Sequence, residues 1–194
     1  MDIEEFQKFR AFFAIDINDN IRYEAVKLIK FLKKQKIYRH IRWTRTENLH
    51  ITMRFLGNIS NSEYQKITEQ VSEKTKNLKP FSIHLASLII FPSIKKPIVI
   101  ALQPEPLTQL IKLNQLIEKG LTNSDIKPET KSFSPHLTLG RITRRRHIFE
   151  PFEIELPKMH LKVREIILYK SDLTKTGPIY TPLSRIPLEI KSRI

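Results

Sequence analysis

Leu49-His50-Ile51-Thr52-Met53 and Pro135-His136-Leu137-Thr138-Leu139 carry one pattern twice: a histidine and a threonine two residues apart between apolar neighbours. In an extended strand, residues i and i+2 share a face. His50 and Thr52 therefore point one way, and Leu49, Ile51 and Met53 the other. His136 and Thr138 stand in the same way against Leu137 and Leu139. Each segment predicts a strand with one apolar face to bury and one face carrying an imidazole and a hydroxyl. The histidines lie 86 residues apart, one in each half of the chain. The pattern thus predicts two related halves with a pseudo-twofold, folded so that the two polar faces meet.

Outward from the first motif, Thr46-Glu47-Asn48 predicts a turn leading into a strand over 49–56, ended by Gly57. Upstream, 9–17 reads as a buried strand. Asn18 or Asp19 can cap a helix whose apolar positions Ile21, Ala25, Leu28, Ile29 and Leu32 recur at helical spacing. Residues 37–43 read as extended. Downstream, Ser60-Asn61-Ser62-Glu63 has the capping-box pattern and predicts a helix to about residue 77. Strands come next over 81–91 and 98–102. Pro106 suits a helix start; Leu107, Leu110, Ile111, Asn114, Ile117 and Leu121 mark one face, and Gly120 a stop. After a polar loop comes the second motif strand, over 136–142. Closing strands are predicted over 162–169 and 180–189, around a turn at Gly177-Pro178. Few helices beside many strands predict an α+β fold with the helices packed outside. With no low-complexity linker, residues 1–194 read as one domain of two lobes.

Composition narrows the chemistry. The chain has 194 residues and 40% apolar content, enough for a real core, and no cysteine, which removes disulfides and thiolate metal sites. No apolar run approaches the roughly 20 residues that span a bilayer, so the expectation is a soluble cytoplasmic protein without a membrane partner. The net charge of +14 is partly clustered, at Lys33, Lys34, Lys36, Arg39, Arg42 and Arg45 and again at Arg144, Arg145 and Arg146. Such clusters favour a polyanion.

Paired histidines admit several readings. Zinc sites want three or four close ligands at short spacings, and neither motif has a His-x3-His or acidic companion. No Gly-x-Ser-x-Gly elbow and no phosphate-binding glycine loop occurs among four glycines. No metal and no cofactor is expected. His40, His84, His147 and His160 lack the pattern and read as surface or packing residues. As plain strand residues, His50 and His136 would only satisfy their own hydrogen bonds. As a pair across one groove they form an acid–base site, since imidazole titrates near neutrality. Each motif threonine would then point its hydroxyl at a shared anion. Arg141 has the opposite strand parity, so it reaches the site only if the strand twists or bulges.

These residues resemble the 2H phosphoesterase superfamily, and most closely its RNA 2′,3′-cyclic phosphodiesterase branch, once called 2′-5′ RNA ligases. The similarity runs along nearly the whole chain. It takes in Arg10-Ala11-Phe12-Phe13-Ala14-Ile15, Trp43, both motifs with Arg54-Phe55-Leu56-Gly57 and Gly140-Arg141, Phe91-Pro92 with Pro97, and Leu168-Tyr169-Lys170-Ser171 with Gly177-Pro178-Ile179-Tyr180. Ile98-Val99-Ile100-Ala101 departs from it, where relatives often carry a tryptophan. The resemblance implies antiparallel sheets facing each other across a central groove with both motifs on its floor. It implies metal-independent hydrolysis of RNA 2′,3′-cyclic phosphate ends, tRNA-derived ends among the candidates, to 2′-phosphomonoesters. It makes His50 the acid and His136 the base, with Thr52, Thr138 and Arg141 binding substrate and no protein partner implied. The residues alone leave the two histidine roles open. They also leave open the reverse chemistry, a 2′-5′ ligase that makes a new diester, and a basic RNA-binding module with inert histidines. The last lacks the RNP-type aromatic motif.

Overall fold

The computed structural model describes residues 8–35, 40–122, 124, 126–127, 130, 132–143 and 154–189. Lys36 and Arg39 of the first basic cluster, and Arg144, Arg145 and Arg146, lie outside them. Among the described residues there are nine strands and three helices: β1 (Phe9–Asp16), α1 (Asp19–Lys33), β2 (Ile41–Trp43), β3 (His50–Ile59), α2 (Asn61–Thr75), β4 (Phe81–Ser93), β5 (Lys96–Glu105), α3 (Leu107–Leu121), β6 (Leu137–Ile142), β7 (His160–Val163), β8 (Glu165–Thr174) and β9 (Gly177–Pro187).

Local chemistry accounts for most of these boundaries. Asn18 caps α1 by accepting from the Ile21 amide at 2.9 Å. At α2 the predicted capping box forms: the Glu63 amide donates to the Ser60 hydroxyl, and the Glu63 carboxylate accepts from the Ser60 amide at 2.6 Å. Thr46-Glu47-Asn48 makes one 3₁₀ turn ahead of β3. Several expectations need correction. Gly57 does not end β3 but lies inside it at φ +76°, where one residue of β3 bulges out against β1. The predicted strand over 162–169 is two strands: Arg164 separates β7, which pairs with β4, from β8, which pairs with β1, and the last turn falls at Lys175-Thr176. On α3, Ile111 is exposed and Leu113 is buried, so the inward face is rotated from the predicted one.

Gly120 is the other correction, because α3 runs past it. A Cβ there would stand 2.8 Å from both Cα and Cγ2 of Val71 on α2. The residue is small because two helix backbones cross at that point. Gly120→Ala should therefore destabilise the fold by up to about 2 kcal/mol: overpacking costs about 1–3 and helix propensity returns about 1. The check is a lower urea midpoint at unchanged slope. An unchanged or higher midpoint would mean that the helices part freely.

All pairings are antiparallel, and the strands are arranged in the order β7-β4-β5-β6-β3-β1-β8-β9, with β2 added on β6. The path falls into two four-stranded halves, β7-β4-β5-β6 and β3-β1-β8-β9. They are joined into one curled sheet by the pair Ile51↔Leu137. Ile51 and Leu137 are fully buried in the same core as Leu28, Leu32, Val71, Leu110 and Ile117 of the three helices. The helices thus cover the face carrying Ile51 and Leu137, and the motif face is left as the groove.

Candidate active site

An antiparallel residue pair has a local twofold axis between its strands. At Ile51↔Leu137 that axis carries His50 onto His136 and Thr52 onto Thr138. His50 faces Thr138 and Thr52 faces His136, all on the groove side of the seam. The symmetry extends to the hydrogen bonds. Nδ1 of His50 lies 2.8 Å from the Asn48 carbonyl oxygen, and Nδ1 of His136 lies 2.8 Å from that of Ser134. A carbonyl can only accept, so each Nδ1 carries the proton and each Nε2 is left to act. Nε2 of His50 is 2.9 Å from the Thr52 hydroxyl, which donates to it while the ring is neutral.

A bulge is repeated as well. Met53 is skipped in the register of β3 with β1, and Leu139 in that of β6 with β5. Each lies three residues past its histidine. An extra residue inverts the parity of the strand beyond it. Phe55 and Arg141 therefore return to the face of Thr52 and Thr138. This is the bulge that Arg141 needed. Its charge acts on both imidazoles and on the Tyr180 phenol.

The surroundings differ between the halves. Phe12 and Tyr180 lie against His50, at ring-centroid distances of 5.0 and 5.3 Å, and Phe91 stacks on His136 at 4.8 Å and 23°. Asp16 is the register partner of His50. Arg22 holds the Asp16 carboxylate at 2.9 Å and donates to the Thr46 carbonyl at 2.6 Å. One guanidinium thus ties the carboxylate beside His50 to the turn that carries Asn48.

Burial is the main influence on both imidazoles and favours their neutral form. It brings His50 down to about 4, against the opposing pull of the Asn48 carbonyl and Asp16, with His136 and Arg141 adding to the fall. His136 is also lowered, by burial first and then Arg141, while the Ser134 carbonyl opposes. Burial raises the phenols, Tyr169 to about 12 with help from Asp16, and Tyr180.

The five residues singled out by sequence, His50, His136, Thr52, Thr138 and Arg141, stand together on one groove face. Asp16, Phe12 and Phe55 were not foreseen. Strand parity could have placed Asp16 and Phe12 on one face but not beside His50. Phe55 and Arg22 had no usable signal, because a bulge and a helix-to-turn contact bring them in. Among the described residues no group of three or more His, Cys, Asp or Glu is arranged to hold a metal ion.

A curled antiparallel sheet with two dyad-related His-x-Thr strands at its seam is the architecture of the two-histidine phosphoesterases. The chain belongs to the 2′-5′ RNA ligase superfamily, whose profile matches residues 25–175. It is 30% identical over 182 residues to an RNA 2′,3′-cyclic phosphodiesterase of Thermotoga maritima, covering 93% of this chain and 96% of that one. It is 32% identical over 183 residues to an RNA 2′,3′-cyclic phosphodiesterase of Archaeoglobus fulgidus, covering 90% and 97%. Its fold is similar to that of E. coli LigT crystallised with 3′-AMP, at a TM-score of 0.77 and 25% identity over 94% of this chain and 99% of that one.

Proposed function

We propose that the protein hydrolyses the 2′,3′-cyclic phosphate of an RNA end to a 2′-phosphomonoester, with His50 and His136 as its acid–base pair. The observation that carries this reading is the seam, where one dyad presents two Nε2 atoms and two hydroxyls to a common space. The names of the relatives support it. His136 Nε2 takes a proton from water as the water oxygen bonds to phosphorus. The bond from phosphorus to O3′ breaks, and O3′ takes the proton of His50 Nε2. The hydroxyls of Thr52 and Thr138 and the guanidinium of Arg141 hold the non-bridging oxygens as charge builds. Protonating His50 removes the lone pair that accepts from Thr52, so the threonine hydroxyl is freed to donate to the phosphate while Nε2–H is presented to O3′.

Residues 1–194 act in this reading as one domain with the groove between its lobes, in the cytoplasm, on cyclic RNA ends such as those left on cleaved tRNA. Both proton transfers belong to imidazoles, so the rate should be the same in chelator. The test is end-group analysis after incubation with cyclic-phosphate RNA. A 2′-phosphomonoester supports hydrolysis, a new 2′-5′ diester would make the protein a ligase, and unchanged RNA would leave a binding module.

Thr52→Val and Thr138→Val keep the β-branched shape and remove the hydroxyl. Each should lower kcat/KM about 10- to 150-fold, because a hydrogen bond to a charged oxygen contributes about 1.5–3 kcal/mol. Wild-type rates in both variants would reduce the threonines to strand formers.

A further inference from the structure

The strand β2 brings a second arginine to the groove. Arg42 is the register partner of Arg141, in the triplet Ile41↔Ile142, Arg42↔Arg141 and Trp43↔Gly140. Partners across an antiparallel pair share a face, with Cβ atoms about 4.5–5.5 Å apart. The bulge at Leu139 has already put Arg141 on the groove face, so Arg42 stands there too. Its neighbours confirm the parity. Ile41 is buried and Trp43 packs against the core, on the opposite face. They lie over Gly140, where a Cβ would meet Ile41 Cγ2 at 2.4 Å and Trp43 Cε3 at 3.1 Å. Gly140 is thus what lets β2 dock beside the motif strand and deliver Arg42.

Both arginines are exposed, and neither has an ion-pair partner among the described residues. Like charges directly opposite in a sheet are destabilising. Such a pair beside an anion site is explained by a ligand with a second negative charge at the next position. Arg42 also belongs to the first basic cluster, of which Lys33, Lys34 and Arg45 are likewise exposed.

The geometry points to Arg42 as a second phosphate subsite, which takes the internucleotide phosphate adjoining the cyclic one while Arg141 faces the cyclic phosphate itself. This rests on the function proposed above and deepens it: the substrate is an RNA strand of at least two nucleotides, not a free cyclic mononucleotide. A guanidinium on a phosphate reads no base, so the preference is independent of sequence.

The experiment compares a nucleoside 2′,3′-cyclic phosphate with a dinucleotide ending in the same group, for wild type and Arg42→Gln, at two salt concentrations. In the wild type the dinucleotide should have the higher kcat/KM, by about fivefold or more at low salt. Its salt dependence should be steeper by about 0.7 log units per log unit of salt, the value for one phosphate on a single strand. Arg42→Gln should remove most of that advantage and of the extra slope, with A-rich and U-rich dinucleotides affected alike. Its thermal midpoint should be unchanged or higher, because a like-charge contact is relieved. A wild type without the dinucleotide preference, or a variant that keeps both preference and slope, overturns the subsite. Fluorescence anisotropy of a labelled dinucleotide, wild type against Arg42→Gln, reads the same subsite without turnover. If neither substrate is cleaved, the functional reading fails. In that case weaker, salt-sensitive binding by the variant still supports the subsite, and equal binding overturns it.

Discussion

Replacing His50 or His136 by alanine is expected to lower the rate of cyclic-phosphate opening by at least about 100-fold in each case. Positioned proton transfer contributes about 10²–10⁴. The two losses should not multiply in the double variant, because the pair acts as a unit and the residual rate comes from phosphate binding alone. The measurement is single-turnover cleavage, with the urea midpoint monitored as a control for folding. If either single variant keeps more than about a tenth of the wild-type rate, that histidine is not an acid or base in the reaction.

The pH dependence should be bell-shaped, with the free-protein profile lying on the acid side. Turnover needs one imidazole charged and the other neutral. Burial holds His50 at about 4 and also lowers His136 from its ordinary 6.5. The singly protonated state of the empty groove is therefore most populated between about 4 and a value below 6.5, and the reactive form of that state, with the proton on the more strongly lowered His50, is a minor share that rises and falls with it. Above that window both rings are neutral, and kcat/KM should fall about tenfold per pH unit; below it both are charged, and the rate falls again. At neutral pH the unliganded site has lost the proton its acid must supply. A bound phosphate favours the imidazolium, so the kcat profile should sit at higher pH than that of kcat/KM. The two rate profiles test this directly. A kcat/KM maximum above pH 7 would show that burial does not govern these rings.

Much of the site was legible before folding, for a simple reason. Period-two alternation around His50 and His136 assigns a face to each residue, and a strand keeps that assignment up to its first bulge, wherever it is placed. The capping box at Ser60 and the Asn18 cap were equally readable, because their partners lie within three residues. Legibility failed where a partner lies far along the chain. Gly120 and Gly140 look like ordinary breakers until Val71 and Trp43 are seen against them. Arg164 looks like a strand interior until β7 and β8 are seen on different neighbours.

The sequence by itself determined which side chains share a face, that two such faces exist, and that imidazole and hydroxyl chemistry on a basic chain suits a phosphate. Only the tertiary structure decided that the two faces adjoin, through one pair at Ile51↔Leu137. It alone decided that matched bulges at Met53 and Leu139 return Phe55 and Arg141 to the groove. The same holds for Asp16 beside His50 and Arg42 beside Arg141. The physical reason is that strand parity is a local property of the backbone. Register and bulges are set by which strand lies alongside, and that is decided by packing of the whole core.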